Sequence, residues 1–354
     1  YEGSTVESGK EYYFYNVGAG KFLEGGNSYG TQASLGEVGV PVLFTSTGEN
    51  LYTLDTRISN GGENHFLGSN GFVDAGAFNW TLTKVEGSNA YTLGTGDAYC
   101  GYDGSTTVMS TALTDTSSPN AQWLLVSKEE RTKLLEQATA TSGVDASFFI
   151  ANPNFSRNVN PFGWNNDNNV CSQLGNDDDK LMEIYNQKDA NFYQSLSGLP
   201  NGVYVVSCLG FYRNGDAQPA ADSKDKGIEK INVFLYAGNN EAPFASILDG
   251  FGKTTTGTMT VTLGGEEGNL PHWPAEAASD FRAGIYSRTE VPVVVTDGNL
   301  TLGVRKSVLS TNDWTQFDSF RLTYYGNTAE AMQQALQDKV DEAHALAEVW
   351  DGTV

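Results

Sequence analysis

Cysteine, histidine and positive charge are all scarce in this chain. Three cysteines in 354 residues, Cys100, Cys171 and Cys208, are too few and too scattered for a disulfide framework or a zinc knuckle, and read as small buried apolar side chains. The three histidines, His65, His272 and His344, stand far apart without ligand-like spacing, which argues against an ordinary zinc or iron site. Lysine and arginine number 21 against 43 acidic residues, and the resulting net charge of −22 repels phosphate backbones and anionic lipid surfaces. No run approaches the ~18 apolar residues of a membrane span. Neither nucleic acid nor membrane insertion is expected. What the chain has instead is glycine, 40 residues, and an aromatic share of 12% beside only 18% charged residues, the turn-rich composition of secreted all-β proteins. At ~150 residues per domain the length suggests two domains, or three small ones.

The first third repeats. Tyr13, Tyr52 and Tyr91 are spaced 39 residues apart, and each heads a strand-like run. A second aromatic-led run follows each of them, at Phe22-Leu23, Phe66-Leu67 and Tyr99-Cys100. Each repeat closes on an alternating apolar run, at Val40–Phe44, Phe78–Leu82 and Ala121–Leu125. Three four-strand units follow. With "YYFYNVGAGKFLEGGNSYGTQASL" as its most characteristic stretch, residues 8–127 resemble a β-trefoil of the ricin-type lectin superfamily. The superfamily's closing Gln-x-Trp survives only as adjacent Gln122-Trp123, and Trp80 follows Phe78-Asn79, so both tryptophans are expected in the core rather than in a sugar pocket.

Ser127 stands three residues before Glu130 in a capping box, and Leu134, Leu135 and Ala138 continue it as a short linker helix. Strands resume after Ala151: Leu181–Tyr185, Phe192–Ser197, Val203–Tyr212, Ile231–Tyr236, Met259–Leu263, Val291–Val295, Leu300–Val304 and Phe317–Tyr325, joined by Gly, Asn and Asp turns as in a two-sheet jelly roll or sandwich. "NPNFSRN" with Trp164 soon after, "FYQSLSGLPNGVYVVSCLGFYRNG", "INVFLYAG" and "NDWTQFDSFRLTYYG" together resemble a galactose-binding-like carbohydrate-binding module. Such modules belong to surface glycan-degrading proteins of gut Gram-negative anaerobes. The expected organisation is all-β: a β-trefoil over 1–127, a linker helix over 128–147, a jelly roll over 148–326, and a C-terminal helix over 327–354. That helix carries Met332, Leu336, Val340 and Ala343 at helical spacing, an apolar stripe expected to lead to further domains of the same polypeptide.

Several motifs carry less than they promise. Gly26-Asn27-Ser28-Tyr29-Gly30 matches the esterase elbow G-x-S-x-G but lies between two short strands with no helix to follow, so it reads as a turn. Asn176–Asp179 lacks the alternating ligands of a calcium loop and reads as a solvated acidic turn. Glycoside hydrolysis needs two carboxylates across a cleft. Many acids are available, of which Asp249, Glu276 and Asp280, placed in long loops, are the least implausible, and no catalytic residue is expected.

Sugar rings stack their C–H faces on aromatic rings while their hydroxyls seek amide, carboxylate or guanidinium partners. Trp164, Tyr212, Trp273 and Trp314 supply the first need and Arg213-Asn214 and Asn312-Asp313 the second, so these eight are the expected carbohydrate contacts, clustered at loops that a rigid sandwich would hold at its mouth. Asp318 shares the parity of Phe320, Leu322 and Tyr324, which points its carboxylate inward, where a charge must be paired or bind a metal. The resemblance to carbohydrate-binding modules implies a structural calcium there, with Asn154 as a second ligand; Arg321 or a backbone amide is the rival partner. The expected function is non-catalytic glycan binding by a secreted or cell-surface bacterial protein. The alternatives are a structural or adhesive protein with protein partners, and a glycoside hydrolase with an unrecognised site.

Overall fold

The structure is a computed structural model, and it describes residues 1–27, 31–155, 163–176 and 179–351. The chain is all-β. Its first unit uses β1 (Lys10–Asn16), β2 (Lys21–Asn27), β3 (Gln32–Gly36), β4 (Pro41–Gly48), β5 (Leu51–Asp55), β6 (Trp80–Lys84), β7 (Tyr91–Gly94), β8 (Tyr99–Gly101), β9 (Ser110–Leu113) and β10 (Gln122–Val126). Strands β1, β4, β5, β6, β7 and β10 pair in that order, and β10 returns to β1, closing a six-stranded barrel without edges. Hairpins β2–β3 and β8–β9 cap one end, and bridges at Asp55–Phe66 and Phe66–Ala75 supply the middle equivalent. The three meet on a shared set of amide bonds: Ala33 to Gly71, Val73 to Thr31, Leu35 to Thr107 and Met109 to Ala33. This is the threefold β-trefoil the repeat requires.

Alternation explains the barrel's filling. Tyr12 and Phe14 of β1 point into it with Leu54, Leu93, Leu23, Leu67 and Cys100. The indole N–H of Trp80 donates to the Leu67 carbonyl at 2.8 Å, and that of Trp123 donates to the equivalent Cys100 carbonyl at 2.9 Å. Both tryptophans are therefore core residues, and the burial of Cys100 pushes its thiol up to about 12.

Helix α1 (Lys128–Leu134), capped by Ser127 as the sequence predicts, leads into a second unit. Its strands are β11 (Val144–Asp145), β12 (Asn165–Asn166), β13 (Ser172–Asn176), β14 (Asp179–Tyr185), β15 (Ala190–Ser197), β16 (Gly202–Arg213), β17 (Val233–Ala237), β18 (Asn240–Pro243), β19 (Ala245–Ser246), β20 (Met259–Leu263), β21 (Glu266–Leu270), β22 (Thr289–Val295), β23 (Asn299–Lys306) and β24 (Trp314–Tyr324). One sheet runs β13-β14-β24-β16, with β22 and β19 also on β16 and β11 on β24. The other runs β12-β15-β23-β17-β18, and the main core lies between them. Helices α2 (Ala217–Asp225) and α3 (Pro274–Arg282) and the β20–β21 hairpin form a further layer, burying Phe211, Trp314, Phe281 and Tyr286 against the outer face of the first sheet. Sequence periodicity missed both helices, each being only nine residues long.

The seam between the units is packed. Tyr13, Phe22 and Val126, on the outward face of the barrel, belong to the sandwich's core cluster, and buried Arg131 of α1 lies 4.2–4.7 Å over the rings of Phe22, Phe148 and Tyr13. Its guanidinium also donates to the Val38 carbonyl. The last helix, α4 (Ala329–Asp351), begins against β16 and β22, and its Leu336 is exposed. Among the described residues no helix is long and apolar enough to cross a membrane.

Candidate functional site

Seven of the eight expected sugar contacts gather at or beside one end of the sandwich, yet most are occupied there. Tyr212 and Trp314 are buried, the first in the main core and the second in the outer layer. Arg213 is buried as well, donating to the carbonyls of Gly215 and Asn312 with its guanidinium 5.5 Å from the Trp314 ring. Asp313 is fully buried 2.7 Å from the Lys306 ammonium and also accepts from the amides of Gln187 and Ser310. Asn214 donates to the Lys230 carbonyl, while Asn312 donates to Asp216 and accepts from the exposed Tyr185 hydroxyl. The expectation that these side chains face sugar is corrected for a physical reason: loops lack a ladder, so polar side chains satisfy their backbone. Trp164 is corrected likewise. It stacks on Phe192 at 5.0 Å inside the sandwich, its N–H on the Asn152 carbonyl.

Trp273 alone of the four aromatics is open, at 59% exposure. It lies not in a long loop but at the N-cap of α3, ahead of Pro274, with the His272 ring stacked on it at 4.5 Å. Glu276 fixes this turn by accepting from the His272 amide and from the amide and hydroxyl of Thr258. Partial burial opposes ionisation of Glu276, but these donors outweigh it and hold the carboxyl below its ordinary value.

The other acids are also committed. Asp249 sits in a capped turn 2.6 Å from Lys224, and buried Asp280 on α3 accepts from Thr254. At the expected calcium site, Ser319 adopts φ 59° in a bulge that shifts the β16–β24 register, so the parity count fails: Phe317 and Phe320 both face the core, and Asp318 pairs with Leu209 on the other face. The Asp318 carboxylate accepts from the Ser319 amide, and Asn154 accepts from Arg321 at 2.7 Å. Burial pushes the Asp318 carboxyl up to about 7 against the pull of the Ser319 amide and of Arg321 and Arg288. A guanidinium thus holds Asn154, and of the rival partners named in the sequence analysis the backbone amide is the one that meets Asp318. Among the described residues no three His, Cys, Asp or Glu side chains cluster as metal ligands. Ser28, Ser156, Asp177 and Asp178 lie outside the described residues.

The outer face of the second sheet offers what the mouth does not. Gly303 on β23 is paired on one side with Tyr193 of β15 and on the other with Tyr236 of β17. Two half-buried tyrosines thus stand about 10 Å apart, two strand spacings, with a glycine between them. Gly303 has no room for a side chain, because a Cβ there would fall on the Phe192 carbonyl. The Tyr236 hydroxyl donates to Asn191, whose amide donates to Asp167, and Arg305 lies 5.8 Å from the Tyr236 ring while pairing with Glu241. Burial, then the neighbouring Tyr193, raises the Tyr236 phenol to about 12, so it remains a donor at any ordinary pH. Further along the same face, Ser195 and Thr301 share a 3.0 Å hydrogen bond, and a hollow lined by Ser197, Asn240 and Asn299 continues the row.

No known family profile and no curated protein matches the chain. Among solved structures it is similar to the carbohydrate-binding module TmCBM61 in complex with β-1,4-galactotriose, at 14% identity over 50% of this chain and 97% of that one, with a TM-score of 0.29. It is also similar to the Macrolepiota procera ricin B-like lectin in complex with lactose, at 16% identity over 35% of this chain and 99% of that one, TM-score 0.25. A cyclase from Fischerella sp. TAU is a further neighbour, at 13% identity over 53% of this chain and 100% of that one, TM-score 0.27. Likenesses this distant do not bear on what this chain binds.

Tyr193, Tyr236 and Gly303 escaped the sequence reading because they come from three strands. The one available signal was their alternation: Tyr193 in "ANFYQSLS" and Tyr236 in "VFLYA" fall on the parity opposite to the buried Phe192 and Leu235.

Proposed function

We propose that this chain is a non-catalytic carbohydrate-binding protein whose sandwich lays a glycan chain along the outer face of its second sheet. The observation that carries this reading is the pair of tyrosines flanking Gly303, with Asn191, Ser195 and Thr301 beside them. Aromatic faces and fixed hydrogen-bonding groups are what a sugar needs, and on a strand their backbone is already satisfied. Neutral glycans fit best, because the net charge of −22 opposes anionic ones at long range. A secreted or surface setting, and a role in directing a larger glycan-degrading protein, accord with this reading and with the composition.

Affinity electrophoresis against a panel of soluble polysaccharides, preceded by a glycan array, tests it. The native chain is expected to be retarded by at least one neutral polysaccharide, and the double variant Tyr193→Ala/Tyr236→Ala to run freely while melting as the parent does. Undiminished retardation of the double variant would sink the site. Silence across the panel would favour a structural or adhesive role, and released oligosaccharide would establish an enzyme.

A further inference from the structure

One cavity plays no part in the glycan face. It lies at the seam where the barrel meets the start of the sandwich, holds about 220 Å³, and is walled chiefly by Tyr13, Val40, Ile58, Phe148 and Ile150. An apolar cavity of about 150 Å³ suffices for benzene, so this one has room for a single six-membered ring with a short substituent and none for a chain. Into this wall is set a buried carboxylate, Glu24, only 9% exposed. Its Oε1 accepts from the amides of Val38 and Gly39 at 2.7 and 2.8 Å, and its Oε2 accepts from none of the described residues. Gly36 is what lets it lie there, since a Cβ at that position would fall on the carboxylate.

Most of the other polar side chains around the cavity are engaged elsewhere. Glu11 pairs with Arg57, Thr56 donates to the carbonyls of Val73 and His65, Asn154 accepts from Arg321, and Lys128 lies over the Phe149 ring. A sugar placed here would leave most of its hydroxyls unpaired, at a cost for each. An anion would meet the buried carboxylate. We infer that this seam cavity is a binding site for a small apolar ring bearing an ammonium group, the ring against Ile58, Phe148 and Ile150 and the ammonium on Glu24 Oε2. The ion pair would be shielded from water and correspondingly strengthened.

The test uses the full chain and three probes, benzylamine, benzoate and methyl β-D-galactoside, read by calorimetry and by ligand-induced shifts of the Ile58 and Ile150 methyl resonances. Benzylamine is expected to bind and shift both methyls, with benzoate at least tenfold weaker and the galactoside leaving the two methyls unmoved. Glu24→Gln keeps an acceptor for the Val38 and Gly39 amides and is expected to weaken benzylamine at least tenfold. Benzoate binding as tightly as benzylamine, galactoside shifting these methyls in its place, or a folded Glu24→Gln variant with undiminished benzylamine affinity would each overturn the proposal. If that variant does not fold, the ratio of benzylamine to benzoate affinity on the unaltered chain decides alone. Retardation by polysaccharide should be untouched by benzylamine, so a failure here and a failure of the glycan face are separately visible.

Discussion

The mouth of the sandwich and the outer face of its second sheet carry similar residues, aromatic rings beside amides, carboxylates and an arginine, and put them to opposite uses. At the mouth, Arg213, Asn312 and Asp313 tie three loops together and are consumed in doing so. On the sheet, Asn191, Tyr193 and Tyr236 belong to strands whose amides and carbonyls are already paired in the ladder. The difference teaches that residue type alone does not mark a binding surface. A polar side chain is available to a ligand only where the backbone beneath it needs nothing.

The sharpest way to break that contrast is to attack the mouth and look for a loss of binding rather than of stability. Lys306→Met leaves the Asp313 carboxylate buried and unpaired, and removing one partner of such a pair costs about 3–5 kcal/mol. Trp314→Ala empties a site in the outer layer packed against Phe211 and costs a similar amount, about 3–5 kcal/mol. Chemical denaturation measures both. Variants of unchanged stability that bind no glycan would return the mouth to the role the sequence suggests.

A buried acid gives a contrast that pH can read. Asp318 titrates near 7 in the folded chain, above the ordinary carboxylate range, so the folded state holds its proton more tightly than the unfolded state does. Its contribution to stability is therefore complete below about pH 4 and lost as pH rises toward 7. In Asp318→Asn that decline should flatten, measured as melting temperature across this window. A decline as steep as the parent's would assign it to Glu24 and Asp280, whose carboxyls burial also raises.

What could be read from the sequence follows the same physics. The threefold repeat was legible because Tyr13, Tyr52 and Tyr91 head strands whose alternation is purely local, and the closed barrel simply repeats it. Seven of the eight expected sandwich strands were legible for the same reason, with β17 and β24 displaced by a few residues at their starts, whereas Met259–Leu263 forms a strand of the separate outer hairpin rather than of the sandwich. Parity failed at Asp318 because one bulged residue, Ser319, flips every side chain before it relative to those after. The glycan face was not legible because Tyr193, Tyr236 and Gly303 are neighbours only once the register of β15, β23 and β17 is known.

On the sheet face the effect is smaller in energy but falls on binding. Tyr193→Ala and Tyr236→Ala should each weaken glycan binding about tenfold, or about 1.4 kcal/mol, with Tyr236 the larger because its hydroxyl also holds Asn191 in place. Isothermal titration on the best polysaccharide measures both, and equal affinities of parent and variants would end the assignment.

Trp273→Ala should have the least effect of all, and for that reason it delimits the comparison most finely. The ring is 59% exposed and its His272 neighbour covers one face, so its removal empties no core and should leave the melting temperature within a degree or two. Its turn is nevertheless rigid, pinned by Pro274 and by the bonds to Glu276, and it lies near the mouth, since Met259, next to Thr258, contacts Arg213 at 3.4 Å. A rigid, open tryptophan is the kind of platform a sugar can use, and nothing at the mouth satisfies the backbone through it. If the second sheet binds alone, the variant's affinity stays within twofold of the parent. A tenfold loss would instead mean that the mouth keeps a working residue, an aromatic that its own loops have left open.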